Sequence, residues 1–147
     1  MILMADLTTS KYSRFVLPAV AENIEKLLNL RFTDEDEDEY SLADMADPVK
    51  ASGHCYDSAL LVQQSGLVFN DGPTGEILRV IPEGENDPDG WWHAAFSVPD
   101  HIGEDIVYDF TMRQFHPDLP FPYVGFADQW ASTIEKYAGR GPVEFLW

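Results

Sequence analysis

Apolar residues recur at helical spacing between Arg14 and Leu30, where Val16, Val20, Ile24, Leu27 and Leu28 form one stripe and Pro18 is admissible in a first turn. Pro48 and Gly53 bracket a short approach to Cys55–Ser65. There Ala59, Leu60, Leu61 and Val62 predict a mostly buried helix that Gly66 ends. Glu76–Ile81 reads as a strand and Pro82–Gly90 as a polar loop full of turn formers. Trp91–Val98 and Glu104–Phe110 are alternating segments on either side of Pro99-Asp100-His101-Ile102-Gly103, which predicts a β-hairpin. The run His116-Pro117-Asp118-Leu119-Pro120-Phe121-Pro122 is too rich in proline for a central strand or a helix and reads as an extended loop. Phe126, Trp130, Ile134 and Tyr137 mark one face of a last helix, with Gly139 placed to cap it and Val143–Trp147 as a final short strand. Helices early, strands mostly together and a helix afterwards predict an α+β fold, with N-terminal helices packed on a mainly antiparallel sheet in one domain over 1–147.

Composition agrees with a packed core: the 147 residues are 45% hydrophobic and include four tryptophans. No apolar run approaches the roughly 20 residues a bilayer span needs. Met1-Ile2-Leu3-Met4-Ala5-Asp6 has no basic n-region and does not read as a signal peptide. A single cysteine allows no internal disulfide, so the expectation is a soluble cytoplasmic protein.

Charge changes the picture of partners. The net charge is −17, with consecutive acids from Asp34 to Glu39 and four more at Glu83, Glu85, Asp87 and Asp89. Such a field repels phosphates and anionic headgroups, and the nine Lys/Arg are scattered. Direct nucleic-acid or membrane binding is therefore not expected, while a basic protein surface remains open as a partner. The stretch of about 33–47 reads as an acidic loop, most simply a solvated one.

Three residues carry candidate chemistry. A lone cysteine is by default a small core residue. In Gly53-His54-Cys55-Tyr56-Asp57, however, Cys55 opens a helix directly after a flexible residue. A helix N-terminus favours thiolate and offers free N–H groups to an oxyanion. On the first hairpin segment His93, Ala95 and Ser97 share one face, while Trp92, Ala94, Phe96 and Val98 share the other. Asp109 lies opposite in face to Ile106, Tyr108 and Phe110, and needs a partner if buried. With the loop centred on His101, residues whose numbers sum to 202 face each other: Ser97 with Asp105, Ala95 with Val107, His93 with Asp109. A carboxylate would then hold one ring nitrogen while the other faces a thiol.

A cysteine opening a helix, then a histidine on a strand, then an aspartate on the next strand, resembles the order of the papain-like and transglutaminase-like cysteine enzymes. The segments that look alike are Gly53-His54-Cys55 through Leu61, Trp92-His93-Ala94, and Tyr108-Asp109-Phe110-Thr111 followed by Gln114-Phe115. The last is similar to the Asp-x-Thr-x-x-Gln-Phe stretch of small papain-fold and transglutaminase-like proteins from bacteria and their phages. The resemblance covers about residues 53–115. It implies a cysteine hydrolase or acyltransferase with Cys55 as nucleophile, His93 as general base and acid, and Asp109 orienting His93.

Papain-type proteases carry an oxyanion-hole glutamine several residues before the cysteine, where this chain reads Pro48-Val49-Lys50-Ala51-Ser52. The Cys55 N–H would need a second donor, with Gln114 or His54 as candidates. Trp91 and Trp92 are either packing residues or the lining of a substrate cleft beside His93.

Other chemistries lack support. Adjacent His54 and Cys55 would point about 100° apart on a helix, and no CxxC, HxxxH or HExxH occurs, so no metal and no cofactor are expected. There is no Gly-x-Ser-x-Gly and no Gly-rich phosphate cradle before a helix. The function expected is acyl transfer by a thiolate on a protein or peptide substrate, as hydrolysis, deamidation or transfer. The rivals are a non-enzymatic acidic binding protein of the phage charge-mimic kind, and a toxin-like effector that shares the thiol chemistry.

Overall fold

The computed structural model describes residues 17–68, 75–85, 90–99 and 105–146. Helix α1 spans Leu17–Leu28, with Ile24 and Leu27 buried. The expected start near Arg14 and Val16 falls outside the described residues, as do His101, much of the Pro82–Gly90 loop and Trp147.

The stretch expected as an acidic loop over 33–47 is instead built from short ordered pieces. Strands β1 (Arg31–Thr33) and β2 (Glu39–Ser41) pair antiparallel through Phe32 and Tyr40. At the hairpin tip Asp34 Oδ1 accepts from the N–H groups of Asp36 (3.0 Å) and Asp38 (2.9 Å), and Glu37 takes a positive φ of 65°. Ser41 and Asp44 then form a reciprocal capping box on a 3₁₀ turn, Leu42–Ala46. Asp47 caps the four-residue helix α2, Pro48–Ala51, whose first position is proline. Short acids and serine satisfy nearby backbone N–H groups, so the acids that repel a core also serve as caps and turn formers.

Helix α3 spans Cys55–Ser65 and ends on Gly66 at φ 67°, as its spacing predicts. Five strands follow: β3 (Glu76–Pro82), β4 (His93–Pro99), β5 (Asp105–Asp109), β6 (Tyr123–Phe126) and β7 (Val143–Leu146). They form one antiparallel sheet in the order β6-β5-β4-β3-β7, with helix α4 (Ala127–Tyr137) between the last two in sequence. The fold is α+β. Strand β6 has no sequence signal of its own, being four residues between a proline-rich stretch and a helix.

Both faces of the sheet are covered. Phe96, Val98, Ile106 and Tyr108 pack with Ile24, Leu27, Leu42, Met45 and Val62 on one side. Leu78, Val80, Ala95 and Val107 pack with Leu119, Trp130 and Ile134 on the other. Each fully buried aliphatic of this kind contributes about 1.5–3 kcal/mol relative to exposure.

The β4–β5 register differs from the expected one. Phe96 pairs with Tyr108, Ser97 with Val107, Val98 with Ile106 and Pro99 with Asp105. Those numbers sum to 204, so the pairing of Ala95 with Val107 and His93 with Asp109 is displaced by two residues. The ladder keeps Pro99 in its last pair, which moves the connection to residues 100–104. A shift of two leaves every side chain on its expected face. No helix among the described residues is long and apolar enough to cross a membrane.

Candidate active site

Helix α2 ends at Ser52, Gly53 turns the chain at φ 81°, and His54 serves as the N-cap residue of α3. The His54 carbonyl accepts from the Ser58 N–H at 3.0 Å, so regular helix begins at Cys55. The first turn carries Asp57, on the side of the helix dipole that favours an anion. Cys55 is a free, half-buried thiol at this terminus.

His93 and Asp109 are buried, at 1% and 2% exposure. His93 Nε2 lies 2.6 Å from Asp109 Oδ2. The same oxygen accepts from Trp130 Nε1 at 2.8 Å. Asp109 Oδ1 accepts from the Thr111 N–H at 2.8 Å and from the Thr111 hydroxyl at 3.1 Å. An ionised carboxylate can only accept, so four donors hold Asp109 ionised. Burial by itself would raise its pKa. The charge and hydrogen bond of His93, the Trp130 indole and the Thr111 N–H outweigh burial and hold it below the usual aspartate value.

The Cys55 thiol is near enough to the imidazole to act on its protonation and raise its pKa. With Nε2 committed to Asp109, Nδ1 is the nitrogen left for the sulfur. Burial, the largest influence, lowers the His93 pKa, but Asp109 and then Cys55 more than offset it, and the pKa is pushed up to about 10. The ring is also walled by aromatics: Phe115 meets it edge-on at 4.8 Å between centroids, and Trp130 lies at 5.7 Å. A carboxylate thus fixes the ring from one side, and the thiol acts on the same ring.

The remaining sequence candidates separate. His54 is no oxyanion donor, because both its ring nitrogens are engaged, Nδ1 with the Lys50 carbonyl at 2.5 Å and Nε2 with Asp34 Oδ2 at 3.0 Å. Gln114 has a buried Nε2 with no hydrogen-bond partner, on the 3₁₀ turn Met112–Gln114 that packs against α2. Trp91 is not among the residues lining the cleft at the start of α3, whose walls do not include Cys55 or His93 either. It packs on Phe115 and under the Arg140 guanidinium. Trp92 is 37% exposed and does line it.

That cleft has a volume of about 620 Å³ and runs alongside the start of α3. Its walls include Asp34, Asp36 and Asp38 of the hairpin tip, with Tyr40, Tyr56 and Trp92 as aromatic surfaces. The Arg79 guanidinium already rests on two of those rings, 5.0 Å from Trp92 and 5.5 Å from Tyr56. Among the described residues, no group of three or more His, Cys, Asp or Glu is placed to hold a metal ion.

Thr111 and Trp130 bond Asp109 and Phe115 packs on His93, placements that the sequence signals only in part. Thr111 and Phe115 stand at fixed positions of the Asp-x-Thr-x-x-Gln-Phe stretch, which was a usable signal. Trp130 carried a weaker one, since an indole on the buried face of a helix must find an acceptor. No family model, curated protein or solved structure matches this chain.

Proposed function

We propose that this protein is a thiol-dependent acyl-transfer enzyme of papain-like or transglutaminase-like type, with Cys55 as nucleophile, His93 as general acid and base, and Asp109 as the residue that positions His93. The observation that carries the reading is the wholly buried 2.6 Å bond from His93 Nε2 to Asp109, with Cys55 near enough to the same ring to raise its pKa. A histidine held so firmly on one nitrogen presents the other in a single orientation.

In the first half-reaction the Cys55 thiol gives its proton to His93 as the sulfur attacks a carbonyl carbon, and the π pair of the carbonyl moves to its oxygen. As that oxygen re-forms the carbonyl, the bond to the leaving amine or alkoxide breaks and His93 gives it a proton. In the second half-reaction water or an amine attacks the thioester. His93 takes its proton, the sulfur leaves as the carbonyl re-forms, and His93 passes the proton to it, restoring the thiol. The Cys55 N–H at the start of α3 faces the developing oxyanion, and the unpaired Gln114 amide is the second donor the site otherwise lacks.

The carboxylates and aromatic rings of the cleft favour a protein or peptide substrate that brings a basic group close to the reacting amide. No cofactor enters this chemistry. The test is acylation by p-nitrophenyl acetate: wild type should release a burst of nitrophenol and carry the acetyl group on Cys55. Cys55→Ala should lose the burst, and His93→Ala should slow it by about 10²–10⁴-fold. A burst that survives Cys55→Ala would refute the reading.

A second reading is favoured by the hairpin tip, where Glu35–Glu39 are all exposed. In it the protein is a non-enzymatic acidic binder that mimics nucleic-acid charge. Cys55→Ala would then leave its biological effect intact, and neutralising the tip would abolish it.

A further inference from the structure

His54 has a role that the acyl-transfer chemistry does not use. Its two ring nitrogens face a carbonyl oxygen and a carboxylate oxygen, the Lys50 carbonyl at 2.5 Å and Asp34 Oδ2 at 3.0 Å. Both partners only accept. A neutral imidazole has one N–H and satisfies one of them, whereas the doubly protonated ring satisfies both. The ring is also packed 4.5 Å from Tyr40 and 5.7 Å from Phe32, one residue from each strand of the hairpin. Its backbone is equally committed: the N–H donates to the Ala51 carbonyl at 3.2 Å and the carbonyl accepts from Ser58. The peptide unit so fixed is the one that supplies the Cys55 N–H.

We propose that His54 is a positioning residue worked by its own protonation, a cationic clasp that ties the β1–β2 hairpin and α2 to the residue before Cys55 and thereby fixes the Cys55 N–H and thiol. On losing a proton the ring must release Asp34 or Lys50, and one wall of the cleft is untied from the helix that bears the thiol. The clasp regulates the site described under the acyl-transfer reading and rests on that reading for its consequence, although the clasp itself can be observed without it.

The charges around the ring support the cationic form. The hairpin presents Asp34, with Glu35, Asp36 and Asp38 on the same cleft, and Tyr40 in ring contact. Helix α3 presents Asp57, together with Cys55 and Tyr56. Helix α2 presents the Lys50 carbonyl, while the Lys50 ammonium lies near Asp44, 3.8 Å away. Burial, the largest influence, lowers the His54 pKa. The bonds to Lys50 and Asp34 and the charges of Asp34 and Asp57 more than offset it, so the ring holds its proton above the usual histidine range.

The test is a pH titration by NMR on protein labelled with ¹⁵N, following the His54 ring nitrogens and the Cys55 amide together. Both ring nitrogens should be protonated near neutral pH, and the Cys55 amide should move with the same midpoint as the ring. Asp34→Asn keeps an acceptor but removes the charge, and should lower both midpoints by about one pH unit. Asp34→Glu, which restores the charge, should bring them most of the way back. A merely structural His54 would give line broadening or lost signals in Asp34→Asn without a coordinated change of midpoint. A neutral His54 ring near neutral pH, or a Cys55 amide that ignores its titration, overturns the proposal. The nitrophenyl acetate burst is measured on the same samples. Its absence in wild type counts against acyl transfer, while the NMR midpoints still decide the clasp.

Discussion

His93 and Asp109 are bonded at 2.6 Å although they are not opposite each other in the ladder. With Phe96 paired to Tyr108, the register carried onward would set His93 level with Thr111, so the ring reaches Asp109 along a diagonal. Diagonal neighbours on one face of an antiparallel pair are about 7–8 Å apart, within reach of a long or aromatic side chain. The diagonal frees Thr111 to hold the other carboxylate oxygen from behind. Asp109 is thereby fixed from two sides, and His93 through it.

The influence of the ring on the thiol should be visible in alkylation. Iodoacetamide needs no oxyanion hole, only a nucleophilic sulfur, so its rate at mildly acidic pH reads the ring's contribution alone. His93→Ala should slow modification of Cys55 by about tenfold or more. Equal rates for the two proteins, followed by mass spectrometry, would count against an activated thiol.

Trp130 should matter through Asp109. Trp130→Phe keeps an aromatic ring on α4 but leaves Asp109 Oδ2 one donor short inside the protein. The expected loss is about 1–3 kcal/mol in urea unfolding. The acetate burst should slow while alkylation by iodoacetamide changes less, because orientation of His93 matters more to the directed proton transfer.

Stability should depend on pH in a direction set by the pair. The His93 pKa is raised, from 6.5 to about 10, so its stabilisation is complete below 6.5 and is lost as pH climbs toward 10. Asp109 is lowered, so its share is present above 3.8 and disappears as pH falls through its lower folded value. His54, also raised, adds to the alkaline decline. Urea midpoints for wild type and His93→Gln should therefore converge as pH rises from 6.5 to 10. A constant gap across that window would contradict the assignment.

Charge at the hairpin tip should act at long range. Changing Glu35, Asp36 and Asp38 to their amides, with Asp34 left in place, should preserve the fold and Cys55 alkylation. Association with a lysine-rich peptide should weaken, and its salt dependence should flatten, because exposed charges are screened over about 8 Å at physiological salt. Adding Asp34→Asn on top should bring the further change in pH midpoint that belongs to His54.

What the sequence disclosed about the site follows from how faces and registers are encoded. Alternation along β4 and β5 determines which face each residue takes, so His93 and Asp109 were assignable to one side without knowing the loop. Register was not, because a slip of two preserves every face and both faces here are apolar. The start of α3 at Cys55 was legible from Gly53 before it and Gly66 after it. The acidic hairpin was not, since its strands have three residues each and its order comes from Asp34 and Ser41 bonding nearby backbone rather than from periodicity. Spacing places Trp130 on one face of the last helix, and that face is buried, but nothing in the spacing signals that its indole N–H bonds Asp109.

Because Trp130 belongs to α4, the carboxylate that steers His93 is finished only by a segment some twenty residues farther along the chain. A growing polypeptide exposes Cys55 and His93 well before that indole has left the ribosome. Until α4 docks, Asp109 lacks the indole donor and the imidazole lacks its complete support. On the acyl-transfer proposal, docking of this one late helix would couple proton transfer by His93 to the close of folding.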